Sequence, residues 1–166
     1  DAALCGGAQL VQLRAKTLGT AEYVEIARRA LALCQKYKAR MLVNAEPVVA
    51  AETGADGVHL TSARLMALRD RPLPRGAWVA ASCHSRAELE HARAIGVDFA
   101  VIAPVMPTAS HPHSASLGWN NAQQLTEIAS FPVYALGGMS AAHVATAIDA
   151  GMQGVAAIGA IWNAED

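Results

Sequence analysis

The sequence predicts an α/β fold in which parallel strands alternate with outer helices, a (β/α)8 barrel whose first strand is absent from this chain. Three observations carry this. Short apolar runs alternate with amphipathic helical segments along all 166 residues, glycine-centred phrases join helix to strand at intervals, and polar residues gather just after the strands.

The strand-like runs are Gln9 to Arg14, Arg40 to Asn44, Gly57 to Leu60, Trp78 to Ser82, Asp98 to Ala103, Pro132 to Leu136 and Gln153 to Ile158. Phe99 to Ala103 is continuously apolar, as expected of a strand covered on both faces; a strand with one solvated face would alternate. Between the runs, Ala21 to Lys38 places Tyr23, Val24, Ile26, Ala27, Ala30, Leu31, Leu33 and Cys34 on one stripe at helical spacing. Further helices are expected at Glu46 to Thr53, Arg86 to Ile95, Asn121 to Ser130 and Ala141 to Ala150. The phrases CGGAQ, TGADG, IGVD and AGMQG each offer a glycine to end a helix in left-handed geometry and lead directly into a strand.

A closed barrel and an open doubly wound sheet both satisfy this alternation. The number of strands favours the barrel, as does the spread of polar residues over many strand ends, since an open sheet concentrates its chemistry at one crevice. About 200 residues is the usual lower limit for a barrel. Asp1 begins inside what reads as the last turns of a helix. The expectation is therefore a single domain over residues 1–166, truncated at its N-terminal side.

With 53% hydrophobic residues, the chain has enough apolar material for one core. Thirteen basic against fourteen acidic residues leave a net charge of −1, and no basic block marks a nucleic-acid surface. No apolar run approaches 18 residues, so no membrane partner is expected. Cys5, Cys34 and Cys83 are odd in number and lack metal spacing, which points to reduced, buried thiols and a cytoplasmic setting.

The stretch VIAPVMPTASHPHSASLGW, Val101 to Trp119, starts as a strand and becomes a loop stiffened by Pro104, Pro107 and Pro112. Such a loop is expected to lie over the mouth of a site as a lid carrying Thr108, Ser110 and His111. His111 and His113 alternate along it, but no third ligand at suitable spacing makes them a metal pair.

Other candidates follow the strands. Gln12, Arg14 and Lys16 alternate along one strand and share a face; they suit an anionic or heteroaromatic ligand, or else form a polar layer in which Arg14 pairs with a carboxylate. His84 stands between Ser82 and Ser85 at a strand end, either as a proton-transfer residue or as a cap on the next helix. Asn44 and His59 complete the strand-end set, His59 as a wall residue. Gly137 with Gly138, and Gly159 with Ala160, are candidates for phosphate binding through backbone amides; the plainer reading of the double glycine is a tight turn capped by Ser140.

These motifs in this order resemble the thiamine phosphate synthase and TenI superfamily over essentially the whole chain. VQLRAK is similar to its QLR-x-K, LVNAEPVVAAETGADGVHLTSARL to its NDRVD…GADGVHLGQEDL, ASCHS to its S-x-H-[ST] and APVMPTASHPHSASLGW to its GPVFPT-x-TK-x…LG. YALGGMS and GVAAIGAIW are similar to its AIGGI and GVAVVSAI. VQLRAK, ADGVHLTSARL, WVAASCH and PVMPTASHP resemble most closely a subgroup joined to the C-terminus of MutT-type Nudix hydrolases, and no Nudix box occurs within this chain.

The resemblance implies a small phosphorylated heterocycle of thiazole type as ligand, His84 and Lys16 as catalytic candidates, and Gln12, Arg14, Asn44, His59, Ser82, Thr108, Ser110 and His111 as ligand-binding ones. It also implies a Nudix domain in the same polypeptide and is compatible with a homo-oligomer. The synthases hold Mg²⁺ with one Asp after the third-strand Asn and another after the fourth strand. Those positions are Ala45 and Arg64, neither of which can supply the oxygen ligands magnesium requires, so no cofactor or metal is expected. The family's phosphate-contacting Thr-Lys is replaced by Ser110 and His111. Three readings follow: a ligand-binding domain with full synthase activity in doubt, a tautomerase that aromatises thiazole phosphate with His84, or a non-catalytic ligand sensor serving a Nudix hydrolase.

Overall fold

The structure, a computed structural model, describes residues 1–108 and 115–162. In chain order its elements are α1 (Ala2–Cys5), β1 (Leu10–Leu13), α2 (Thr20–Lys36), β2 (Arg40–Val43), α3 (Pro47–Thr53), β3 (Gly57–Leu60), α4 (Ser62–Ala67) and β4 (Trp78–Cys83). They continue with α5 (Arg86–Ile95), β5 (Phe99–Ile102), α6 (Gly118–Thr126), β6 (Val133–Leu136), α7 (Val144–Asp149) behind a 3-10 turn at Ala141–His143, β7 (Gly154–Ala156) and α8 (Gly159–Trp162). The seven strands follow one another in the sheet in chain order, and β1–β2, β2–β3, β5–β6 and β6–β7 pair in parallel. This is the α/β fold of the barrel class, with the expected strands within a residue or two of their expected bounds.

The chain divides into two compact units, Asp1–Thr61 with Arg71–Ala80, and Ser62–Asp70 with Ala81–Asp166. In the first, α2 buries Tyr23, Val24, Ala27, Leu31 and Cys34 of the predicted stripe, and leaves Ile26, Ala30 and Leu33 half-buried at its margins. Each large apolar side chain so buried contributes roughly 1.5–3 kcal/mol. The strands beneath supply Met41, Leu42, Val43, Val58 and Leu60, all essentially inaccessible. Asp56 binds this unit together at the start of β3. Its carboxylate accepts from the Met41 amide at 2.8 Å, its own amide donates to the Met41 carbonyl, and its carbonyl accepts from Trp78. It thus has a structural place at the amino end of the strands, away from their carboxyl ends.

In β1, Leu10 and Gln12 are exposed and Val11 and Leu13 half-buried, so the face that Gln12 shares with Arg14 and Lys16 is the more open one. β1 stands at the edge of the sheet, with a neighbour on one side only.

In the second unit Leu65, Cys83, Leu89, Ile102 and Val105 form the centre of the core. α5 starts at Ser85, whose hydroxyl accepts from the Glu88 amide, and stops at Gly96 in left-handed conformation. His91 on α5 donates from Nε2 to the carbonyls of Leu65 and Leu68, 3.1 and 2.9 Å away, and so satisfies the end of α4. α4 itself was not anticipated. In the first phrase it is Gly7 that takes the positive φ, while Gly6 keeps a negative one; one correction is that Cys5, expected buried, is exposed.

Candidate functional site

In the first unit the carboxyl ends of β1, β2 and β3 bring several candidates close. The Asn44 amide donates to the Leu13 carbonyl at 2.9 Å, so Asn44 directly follows the last rung between β1 and β2. The Tyr23 hydroxyl donates to the same carbonyl at 2.8 Å and fixes the point where the chain turns toward Arg14 and Lys16. Both cations are exposed. Among the described residues neither makes a hydrogen bond or ion pair, so the carboxylate partner considered for Arg14 is not found there.

His59, inside β3, is only 4% exposed. Burial first, and then the Arg14 guanidinium, push its pKa down to about 4. The ring is therefore neutral at pH 7, a wall residue that can hydrogen-bond without carrying charge. Its coupling to Arg14 places these two candidates within electrostatic reach of each other.

In the second unit β4 delivers Ser82, half-buried, and His84, exposed just past the strand end. His84 Nδ1 contacts the carbonyl oxygen of Ala103. A carbonyl can only accept, so Nδ1 carries the proton, and in the uncharged form of the ring the lone pair lies on Nε2. Among the described residues Nε2 has no hydrogen-bond partner. The cap of α5 is Ser85 rather than His84, which removes the helix-capping reading of this histidine. Beside it, Cys83 is fully buried, and its pKa is pushed up to about 12 by burial and then by the Glu88 carboxylate. It is no nucleophile at neutral pH.

Sequence reasoning missed Glu88 and Ser62. The Glu88 carboxylate accepts from the Ser62 hydroxyl at 2.6 Å and from the His84 amide. The spacing Ser85-x-x-Glu88 marks a helix start and could have drawn attention to Glu88; nothing local marks Ser62.

Beyond β5 the chain passes a cis bond between Ala103 and Pro104 and stays paired with the turn after β6. The Val105 amide donates to the Leu136 carbonyl and the Met106 amide to the Gly137 carbonyl, at 2.9 and 3.2 Å. On its other side the same segment accepts from Leu117 and Gly118. Gly137 and Gly138 both have positive φ, and a Cβ on them would lie 2.7 Å from Pro104 Cβ and 2.6 Å from the Pro107 carbonyl oxygen. Ser140 caps the following 3-10 turn, with His143 Nδ1 accepting from the Ser140 amide at 3.1 Å. Local packing thus already requires both glycines. Their amides are nevertheless unspent: among the described residues no carbonyl accepts from Gly137, Gly138, Gly159 or Ala160. Thr108 is half-buried at the end of the described segment, while residues 109–114 of the expected lid, Ser110 and His111 among them, lie outside the described residues.

Magnesium does not fit the residues present. Ala45 offers a methyl group, Arg64 on α4 a guanidinium, and among the described residues no three His, Cys, Asp or Glu side chains gather in a way that could hold a metal. Glu46 is the N-cap of α3 ahead of Pro47, a place that suits a carboxylate for helical reasons. No helix of the described residues is long and apolar enough to cross a membrane.

Residues 1–161 match the family model described as thiamine monophosphate synthase. The thiamine-phosphate synthase of Methanococcus maripaludis strain C6 is 30% identical over 166 residues, all of this chain and 80% of that protein. That of Thermosynechococcus vestitus is 37% identical over 167 residues, again all of this chain but 48% of that protein, so the chain spans about half of that relative. Among solved structures, thiamine phosphate pyrophosphorylase from Pyrococcus furiosus superposes with a TM-score of 0.81 at 28% identity, covering 99% of this chain and 79% of that one.

Proposed function

The chain belongs to the thiamine monophosphate synthase family, and on that premise we propose that it binds a phosphorylated thiazole-type heterocycle without magnesium, in the cytoplasm. The observation that carries the reading is the set of amides at Gly137, Gly138, Gly159 and Ala160 for which no acceptor is found among the described residues. They follow neighbouring parallel strands β6 and β7 at their carboxyl ends. Backbone amides so placed are the usual phosphate cradle of barrel enzymes. In the first unit, Arg14 and Lys16 add exposed positive charge without an internal carboxylate, which favours an anionic ligand. In that unit Gln12, Asn44 and neutral His59 are side chains able to hydrogen-bond a heterocycle; in the second unit, taken by itself, Ser82 and Thr108 are able to do so.

Calorimetric titration with thiazole phosphate and with the corresponding alcohol, each with and without Mg²⁺, tests this. The phosphate ester should bind at least about 10-fold tighter, with no change on adding Mg²⁺; equal affinities would remove the phosphate site.

A second reading is favoured by His84. Aromatisation of a non-aromatic isomer to thiazole phosphate moves a proton between ring positions and expels no leaving group, so it asks nothing of Ala45 or Arg64. The unprotonated Nε2 would take the proton and the resulting imidazolium would return it. Single-turnover aromatisation, abolished in His84→Asn, would support it. The resemblance of VQLRAK, ADGVHLTSARL, WVAASCH and PVMPTASHP to Nudix-fused domains supports a third use of the same site, sensing a ligand for a Nudix hydrolase in one polypeptide. That use predicts binding without turnover.

A further inference from the structure

We infer that Glu88 is a positioning residue for His84, holding the chain so that the ring donates through Nδ1 and presents Nε2 outward. In an ordinary capping box the glutamate at the third helical position reaches back to the amide of the N-cap residue. Here the N-cap is Ser85, and the Glu88 carboxylate passes it to take the amide of His84, one residue earlier. Its other oxygen accepts from the Ser62 hydroxyl at the start of α4. One half-buried carboxylate therefore ties the segment after β4 to the segment after β3, 26 residues away in sequence.

Two restraints then act on one residue. Glu88 fixes the His84 main chain, and the Ala103 carbonyl, carried by the end of β5, fixes the ring. The Ala103 amide donates to the Cys83 carbonyl at 3.4 Å, so the acceptor of the ring proton is itself registered on β4. An exposed histidine with neither restraint would sample several rotamers and both tautomers. With both, Nε2 is the basic atom and its direction is set before any ligand arrives. Such preorganisation is what proton transfer requires, since a displacement of about 1 Å at a reacting group can lower a rate on the order of 100-fold.

The inference rests on the proton-transfer reading of His84 for its use, though not for its geometry. Nitrogen-15 NMR of the histidine rings near neutral pH reads the geometry with no ligand present, and conversion of the non-aromatic isomer to thiazole phosphate reads the use. The wild type should show His84 protonated at Nδ1. Glu88→Gln can still accept from the His84 amide while its NH₂ donates to Ser62, so it should keep that signature and most of the rate. Glu88→Ala should lose the Nδ1–H signature, with a fall in kcat on the order of 10-fold and little change in KM. Should Glu88→Ala not fold, Glu88→Asp, one methylene too short to span both partners, serves in its place. A folded Ala or Asp variant that retains the Nδ1–H tautomer, or a wild type protonated at Nε2, overturns the inference. If the histidine tautomer results hold and the non-aromatic isomer is not converted to thiazole phosphate, the proton-transfer reading fails and the positioning role stands.

Discussion

A Cβ on Gly57 would stand 1.9 Å from the carbonyl oxygen of Trp78 and 2.6 Å from its carbonyl carbon, because β3 meets β4 there backbone to backbone. No rotamer change relieves a clash with a main chain. Gly57→Ala should therefore destabilise the protein by more than about 4 kcal/mol, the range reserved for backbone-level conflicts. Expression as soluble, folded protein with a Tm within a few degrees of wild type would contradict this packing.

His59 predicts how stability depends on pH. Its pKa in the fold, about 4, lies below the ordinary 6.5, so between these values the unfolded chain binds the extra proton. Stability should be fully present above pH 6.5 and fall as pH drops toward 4, by up to about 3 kcal/mol from this group. Urea titrations of wild type and His59→Leu across pH 4–7 isolate the contribution. A difference between them that is flat with pH would show that the ring is not buried neutral.

The thiols should separate sharply. Cys5 is exposed, whereas Cys34 and Cys83 are buried and both have pKa values pushed up, chiefly by burial. One thiol should react promptly with a thiol-specific reagent in the native protein and three after denaturation. Fast native labelling of Cys83 would mean that the end of β4 is open.

Magnesium-dependent coupling of a pyrimidine pyrophosphate to thiazole phosphate should be absent or very slow. A metal at the leaving group is worth several kcal/mol of barrier, and Ala45 and Arg64 stand at the positions where the family resemblance expects its ligands. Arg64 is the residue through which a metal-free route could operate, since a guanidinium binds phosphate oxygens in pairs. Assays with both substrates, with and without Mg²⁺, beside the Ala45→Asp, Arg64→Asp double variant decide it. Ordinary enzymatic rates from the unaltered protein would sink the prediction.

The strands were legible because buried parallel strands are written as unbroken apolar runs, as in Phe99 to Ile102, where all four residues are buried. α2 was legible because 17 residues allow its stripe to repeat several times. The six residues of α4 complete fewer than two turns, too little for a period to show. The exposure of β1 was not legible, since the apolar letters of LVQL say nothing of whether a neighbour covers them. At the site, strand ends could be found from residue type, but partners could not. Ala103 reaches His84 across 19 residues and Ser62 reaches Glu88 across 26, and a main-chain acceptor leaves no mark in a sequence. The double glycine had two explanations, close packing and an anion site, and the close approach of Pro104 and Pro107 makes the first true whatever becomes of the second.

Backbone amide shifts in the nitrogen-15 spectrum, followed while thiazole phosphate is added without Mg²⁺, bear most directly on the central claim that unspent amides hold a phosphate. The account predicts saturable downfield shifts at Gly137, Gly138, Gly159 and Ala160, the change expected when an amide donates to an anionic oxygen, and none of that size with the thiazole alcohol. Binding that leaves those four amides unmoved, or no binding at all, would contradict it.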